Sequence, residues 1–218
     1  MNKKIMKFMF DVRAMGFLFY IPLIAVVFLM IYIFAEYRHI NTFVKNVIPT
    51  LEFSIPTVAA WWSSILFYNM LEEDGGEILF TYPQKRLSIG TLRVVTFLLL
   101  YSILIIVCVI IIQLKVDERI FVSLVIQFFS QSYFFSGLGF VSMIITKNVL
   151  WSFSIPLMYT FLQIFYKELQ IFSVSNIFFF NENVLSLSQM SPKLVLIMVV
   201  GTIFFILGQI MINKYQKN

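Results

Sequence analysis

The sequence predicts an all-α polytopic membrane protein of six transmembrane helices, and three observations predict it. Of 218 residues, 60% are apolar and only 12% are charged, with a mean hydropathy of +0.90. Soluble domains carry roughly 45–50% apolar and about 25% charged residues, so a chain this apolar has lipid as its solvent. Long apolar runs recur six times at the roughly 20 residues that one crossing requires. Short charged connections separate them, without repeats or linkers, so residues 1–218 read as one transmembrane domain.

Taken in order, residues 1–14 are basic and amphipathic. Lys4, Lys7 and Asp11 fall on one helical face and Ile5, Met9 and Val12 on another, which suits a helix lying in the membrane interface or a basic flank anchoring the first span. No A-x-A site closes the apolar run that follows, so a cleaved signal peptide is not expected. The first span covers about 15–34, with Pro22 kinking it unless neighbours satisfy the freed carbonyl. A polar loop over 35–52 holds Glu36, Arg38, His39, Lys45 and Glu52. The second span runs from about 53 to 70 and contains Trp61 and Trp62, a pair of the type found at interfaces and packing surfaces. After the charged connection 71–93 comes a third span at about 94–114. The fourth, at about 120–146, is long enough to tilt or bend near Gly137 and Gly139. A fifth ends near 166 and carries Pro156, and a sixth covers about 194–212. Between them, residues 167–193 form an external hairpin. IFSVSNIFFF within it is too short to span, which suits two short re-entrant helices in the outer leaflet, a structured external loop or an amphipathic helix.

With six spans both termini share one side. That side holds ten of the sixteen Lys and Arg residues, so the positive-inside rule predicts cytoplasmic termini in the cell membrane. The composition also removes most chemistry. Single copies of Cys108 and His39 build neither an internal disulfide nor a histidine-rich metal site, and no metal or catalytic residue is expected. There is no phosphate-cradling GxxxxGK[ST] and no nucleic-acid footprint. Paired-glutamate and serine intramembrane proteases need histidines or an arginine that the sequence does not place beside Glu72-Glu73 or a membrane serine.

Two places could carry function. In the fourth span Ser123, Gln127, Ser130 and Gln131 lie on one helix face and face the protein interior. They either line a substrate path or hydrogen-bond across helices. In the 71–93 connection Glu72, Glu73, Asp74 and Glu77 precede Pro83, followed by Lys85 and Arg86. Acids early and bases late favour a short helix through its dipole. Such a helix suits docking of a soluble partner, or the segment is an ordinary solvated loop.

The string Glu73-Asp74-Gly75-Gly76-Glu77-Ile78-Leu79-Phe80-Thr81-Tyr82-Pro83 resembles the first cytoplasmic loop of type-2 ABC transporter permeases. Gly75-Gly76-Glu77 stands where a glycine–threonine step is more familiar in that family. The basic N-terminal helix, six spans and apolar external hairpin resemble it too. The resemblance implies a coupling loop in which Glu73, Gly76, Glu77 and Pro83 match the pattern and Glu72 and Asp74 match in charge. It also implies an ABC exporter whose ATP and Mg are bound by a separate ATP-binding cassette subunit. A second copy or sister permease would complete it, and a chain with 26 Phe and few charges suits an amphiphilic cargo such as a peptide, lipid-like molecule or drug. A non-transporting membrane immunity or assembly factor is the alternative.

Overall fold

In a computed structural model the described residues are 3–36, 40–73, 86–115, 120–166, 176–179 and 187–215. Every regular element among them is helical. We label the helices α1 (Lys3–Met15), α2 (Ile21–Glu36), α3 (Ile40–Ile65), α4 (Tyr68–Leu71), α5 (Arg86–Ile89), α6 (Thr91–Gln113), α7 (Phe121–Thr146), α8 (Val149–Tyr166) and α9 (Leu187–Tyr215). Among the described residues four helical stretches are long and apolar enough to cross a membrane: Phe8–Glu36, Thr91–Gln113, Phe121–Thr146 and Leu187–Lys214. These apolar helices suggest a multi-pass membrane protein.

The chain leaves α1 through Gly16 at φ +55°, a left-handed backbone that glycine adopts without steric cost. A 3₁₀ turn over Gly16–Tyr20 follows. Pro22, which kinks the first span unless neighbours satisfy the freed carbonyl, falls in the first turn of α2, and the carbonyl four residues back, that of Leu18, is met from α3. Orphan carbonyls of the 3₁₀ turn are taken up by the tryptophan pair. Trp61 Nε1 donates to the Leu18 carbonyl (3.0 Å) and Trp62 Nε1 to that of Phe19 (2.9 Å). Pro22, Val26, Met30 and Ile33 are buried at helical spacing on α2, while Val27, Phe28, Ile31 and Tyr32 face outward, as a lipid-facing helix does.

The centre of the bundle is α7, which packs on α3 and α9 most extensively and on α8 and α6 as well. It is one uninterrupted helix. The glycines that suggested a bend serve packing. A Cβ on Gly139 would stand 2.6 Å from Ser63 Oγ and 2.8 Å from the Ala60 carbonyl, so α3 and α7 meet backbone to backbone at this point. Polar side chains fasten the same seam. Ser152 Oγ on α8 lies 2.8 Å from Ser64 Oγ and 3.1 Å from the Gly139 carbonyl, and the Thr57 and Thr160 hydroxyls are 3.0 Å apart.

Two boundaries differ from the sequence expectation. α3 begins at Ile40, so most of the expected 35–52 loop is helix. The loop reading gave weight to charge, whereas the helix gains from the tertiary packing of Val47, Ile48 and Leu51, all buried. α9 begins at Leu187, which brings Pro192 and Lys193 inside a helix. The Ser188 carbonyl, which loses its usual donor to Pro192, accepts from Ser191 Oγ (3.1 Å), and this repairs the break locally.

Candidate functional site

The strongest concentration of buried polar groups lies around Glu52, about midway along α3. Its residue is 0% exposed. Oε1 accepts from Gln127 Nε2 at 2.8 Å, Gln131 Nε2 at 2.6 Å and the Phe179 backbone N–H at 2.5 Å. Gln127 and Gln131 are one turn apart on α7, which is why both amides reach one carboxylate. Gln131 Nε2 also donates to the Ile177 carbonyl at 3.0 Å. From α9, Lys193 Nζ donates to the Phe178 carbonyl at 2.5 Å and stands 4.5 Å from the centre of the Phe179 ring. The Lys193 ammonium lies within electrostatic reach of Glu52. A buried charge of this kind is tolerated only with partners, and here a cation and three donors supply them.

Residues 176–179 are the described part of the expected hairpin, and they form no regular secondary structure. Asn176 Oδ1 accepts from the Phe178 N–H at 2.8 Å, a local turn that competes with helix. Ile177 and Phe178 are buried, with the Phe178 ring 5.8 Å from that of Phe135. Non-helical backbone at such depth is permitted because side chains of three helices satisfy it. The rest of the two-helix hairpin expectation lies outside the described residues.

The sequence-predicted stripe divides. Gln127 and Gln131 join Glu52. Ser130 is buried, bonds back to the Ile126 carbonyl (2.8 Å), and lines an apolar groove of about 660 Å³ between α7 and α9. Ser123 is half-buried on the same helix. In the 71–93 connection Glu73 is exposed just after α4, whereas Gly76, Glu77 and Pro83 lie outside the described residues.

The sequence reading missed four groups. Glu52 was placed in a loop and Lys193 at a hairpin end. Glu72, taken as a match in charge alone, ties the start of the connection to α8: Oε1 accepts from Asn148 Nδ2 (2.9 Å) and Oε2 from the Val149 N–H (2.7 Å). Its carboxylate thus caps the α8 N-terminus, where backbone donors and the helix dipole favour an anion. Asp11, expected on a solvated face of α1, meets Arg93 Nη2 at 2.8 Å, the two side chains being 6% and 10% exposed. The Arg93 guanidinium also sits 5.6 Å from the Phe67 ring centre. A lone acid ringed by apolar residues at i−4, i−1 and i+3 (Ile48, Leu51, Ile55) was the available sign for Glu52.

Among the described residues no group of three or more His, Cys, Asp and Glu side chains could hold a metal. Compared with protein-family models, curated proteins and solved structures, the chain matches none.

Proposed function

We propose that this chain is the membrane subunit of an ABC-type exporter, with six spans and cytoplasmic termini, moving an amphiphilic cargo with ATP hydrolysed by a separate subunit. The six spans are α2, α3, α6, α7, α8 and α9, with α1 in the interface and Glu73 to Pro83 as the coupling loop. The observation that supports this most is the fastening of the 71–93 connection at its two ends. Glu72 caps α8 at its start. At its finish the Thr91 N–H donates to Gln209 Oε1 of α9 at 2.9 Å, and Arg93 pairs with Asp11 of α1. A push on the connection is therefore delivered to α1, α6, α8 and α9 together. The partner chain brings ATP and Mg. A second copy or a sister permease completes the cargo path, and lipid surrounds it.

The test is whether a neighbouring gene encodes a lone ATPase and, where one does, co-expression with it. The two should co-purify, with ATP turnover that falls when Glu73→Ala and Glu77→Ala are combined. A chain that purifies without any ATPase, or turnover unchanged in the double variant, would leave an immunity or assembly factor as the better reading.

A further inference from the structure

The Glu52 cluster reads a peptide backbone, and we infer that it is a binding slot for an apolar peptide which residues 176–179 fill as an internal mimic. Three consecutive residues of that segment are held through their main chain. The Ile177 carbonyl is taken by Gln131, the Phe178 carbonyl by Lys193 and the Phe179 N–H by Glu52. The three side chains come from three positions on α7, α9 and α3. Among the described residues no strand contributes, and the groups that meet this backbone are side chains. Between the backbone contacts, Phe178 enters a slot of Ala60, Phe134, Phe135 and Ile197. Affinity through backbone with one aromatic pocket suits many sequences, and it suits a peptide rather than an acyl chain, which has no N–H to offer the carboxylate.

The fit is incomplete on one side. Gln131 is 0% exposed, yet among the described residues its Oε1 has no hydrogen-bond partner. A buried acceptor left unmet is costly, and the slot thus holds acceptor capacity that 176–179 does not use. A peptide bearing one further donor would use it. This inference deepens the export reading by naming the cargo class, and it is testable without any ATPase, so its failure is separable from failure of the exporter assignment.

The probe is an acetylated, amidated peptide of sequence Asn-Ile-Phe-Phe carrying a fluorophore, titrated against the full chain in lipid nanodiscs. The internal segment competes at high effective concentration, so the parent should bind weakly. Phe178→Ala should bind at least about tenfold more tightly, and adding Glu52→Gln should reverse at least about tenfold of that gain, as loss of a charge-assisted hydrogen bond implies. N-methylation of the last peptide nitrogen should weaken binding to Phe178→Ala similarly. Equal binding of the methylated probe, or no binding to a folded Phe178→Ala chain, would overturn the inference. If Phe178→Ala does not fold, maleimide labelling of Asn176→Cys decides. The probe should accelerate it severalfold, and an unchanged rate overturns the proposal.

Discussion

Replacing Glu52 by alanine should loosen the bundle where α3, α7 and residues 176–179 meet. Three donors converge on Oε1, from Gln127, Gln131 and Phe179, and all three lose their acceptor at once. Interhelical hydrogen bonds in membranes average about 0.6 kcal/mol with a maximum near ~1.7, so three give about 2–5 kcal/mol. The Lys193 ammonium also loses its counter-charge. Glu52→Gln keeps an acceptor oxygen and should cost only part of this. Apolar substitution of Glu52, Gln127 and Gln131 together should recover much of the loss, because replacing all partners leaves no orphaned group. Fluorescence-detected size exclusion after graded heating reads the order: parent, Glu52→Gln, Glu52→Ala. An alanine variant as heat-resistant as the parent would refute the reasoning, because the donors would then have found other acceptors at no cost.

At the other end of the bundle, Asp11→Ala leaves Arg93 buried without its anion, a loss of up to about 3–5 kcal/mol. Trypsin cleavage at the exposed Arg13 should accelerate, and Asp11→Ala/Arg93→Met should reverse it. Glu72→Ala removes the α8 cap at about 0.5–2 kcal/mol, near the low end because Asn148 Oδ1 still accepts from the Trp151 N–H. A drop of a few degrees in the unfolding midpoint checks it. Gly139→Ala should halve the yield of monodisperse protein or worse. Adding Ser63→Ala should not rescue it, since the Ala60 carbonyl remains 2.8 Å from the new Cβ. Cysteine labelling from outside intact cells should reach positions beside His39 and Asp117 but not Gln84. Labelling at Gln84 would reverse the orientation.

Composition made the class legible, because burial in lipid and an apolar surface are the same statement. The helices α6, α7 and α8 were legible for the same reason, each being bounded by charged turns. α3 was not. Its first half carries Asn41, Lys45, Asn46, Thr50 and Glu52 beside Pro49, and local polarity outweighs periodicity in any reading of the chain by itself. What decides for helix is non-local, because Glu52 becomes tolerable only when Gln127, Gln131 and Lys193 arrive from segments remote in sequence. The Gln127–Gln131 face was legible from its spacing, and its partner was not. Asp11 and Arg93 are likewise ordinary charges in sequence, and only the folding of α1 back onto α6 desolvates them.

The two polar ends are joined by the way α3 is held. From Glu52 to Ser64 it meets α7 or α8 at three polar rungs, namely the Gln127–Gln131 amides, Thr160, and Ser152 with the Gly139 carbonyl. At about 1.5 Å per residue these rungs extend over roughly 18 Å of helix. Its opposite flank is fastened as well, to the 3₁₀ turn and α6. Trp62 stacks on Phe19 and meets Phe97 and Tyr101 edge to face. Trp61 and Trp62 donate to the Leu18 and Phe19 carbonyls, and the Tyr101 hydroxyl donates to the Ile55 carbonyl at 2.6 Å. Hydrogen bonds in a water-poor interior resist sliding, since each broken rung orphans its groups with no solvent to take them. Thus α3, α7 and α8 are fastened together, and α6 with the 3₁₀ turn is fastened to the same body. Glu72 is bonded to that body at one end, and Glu52 carries residues 176–179 toward the other. Displacement of the 71–73 segment is therefore transmitted to the slot as rigid-body motion and requires no change within the helices.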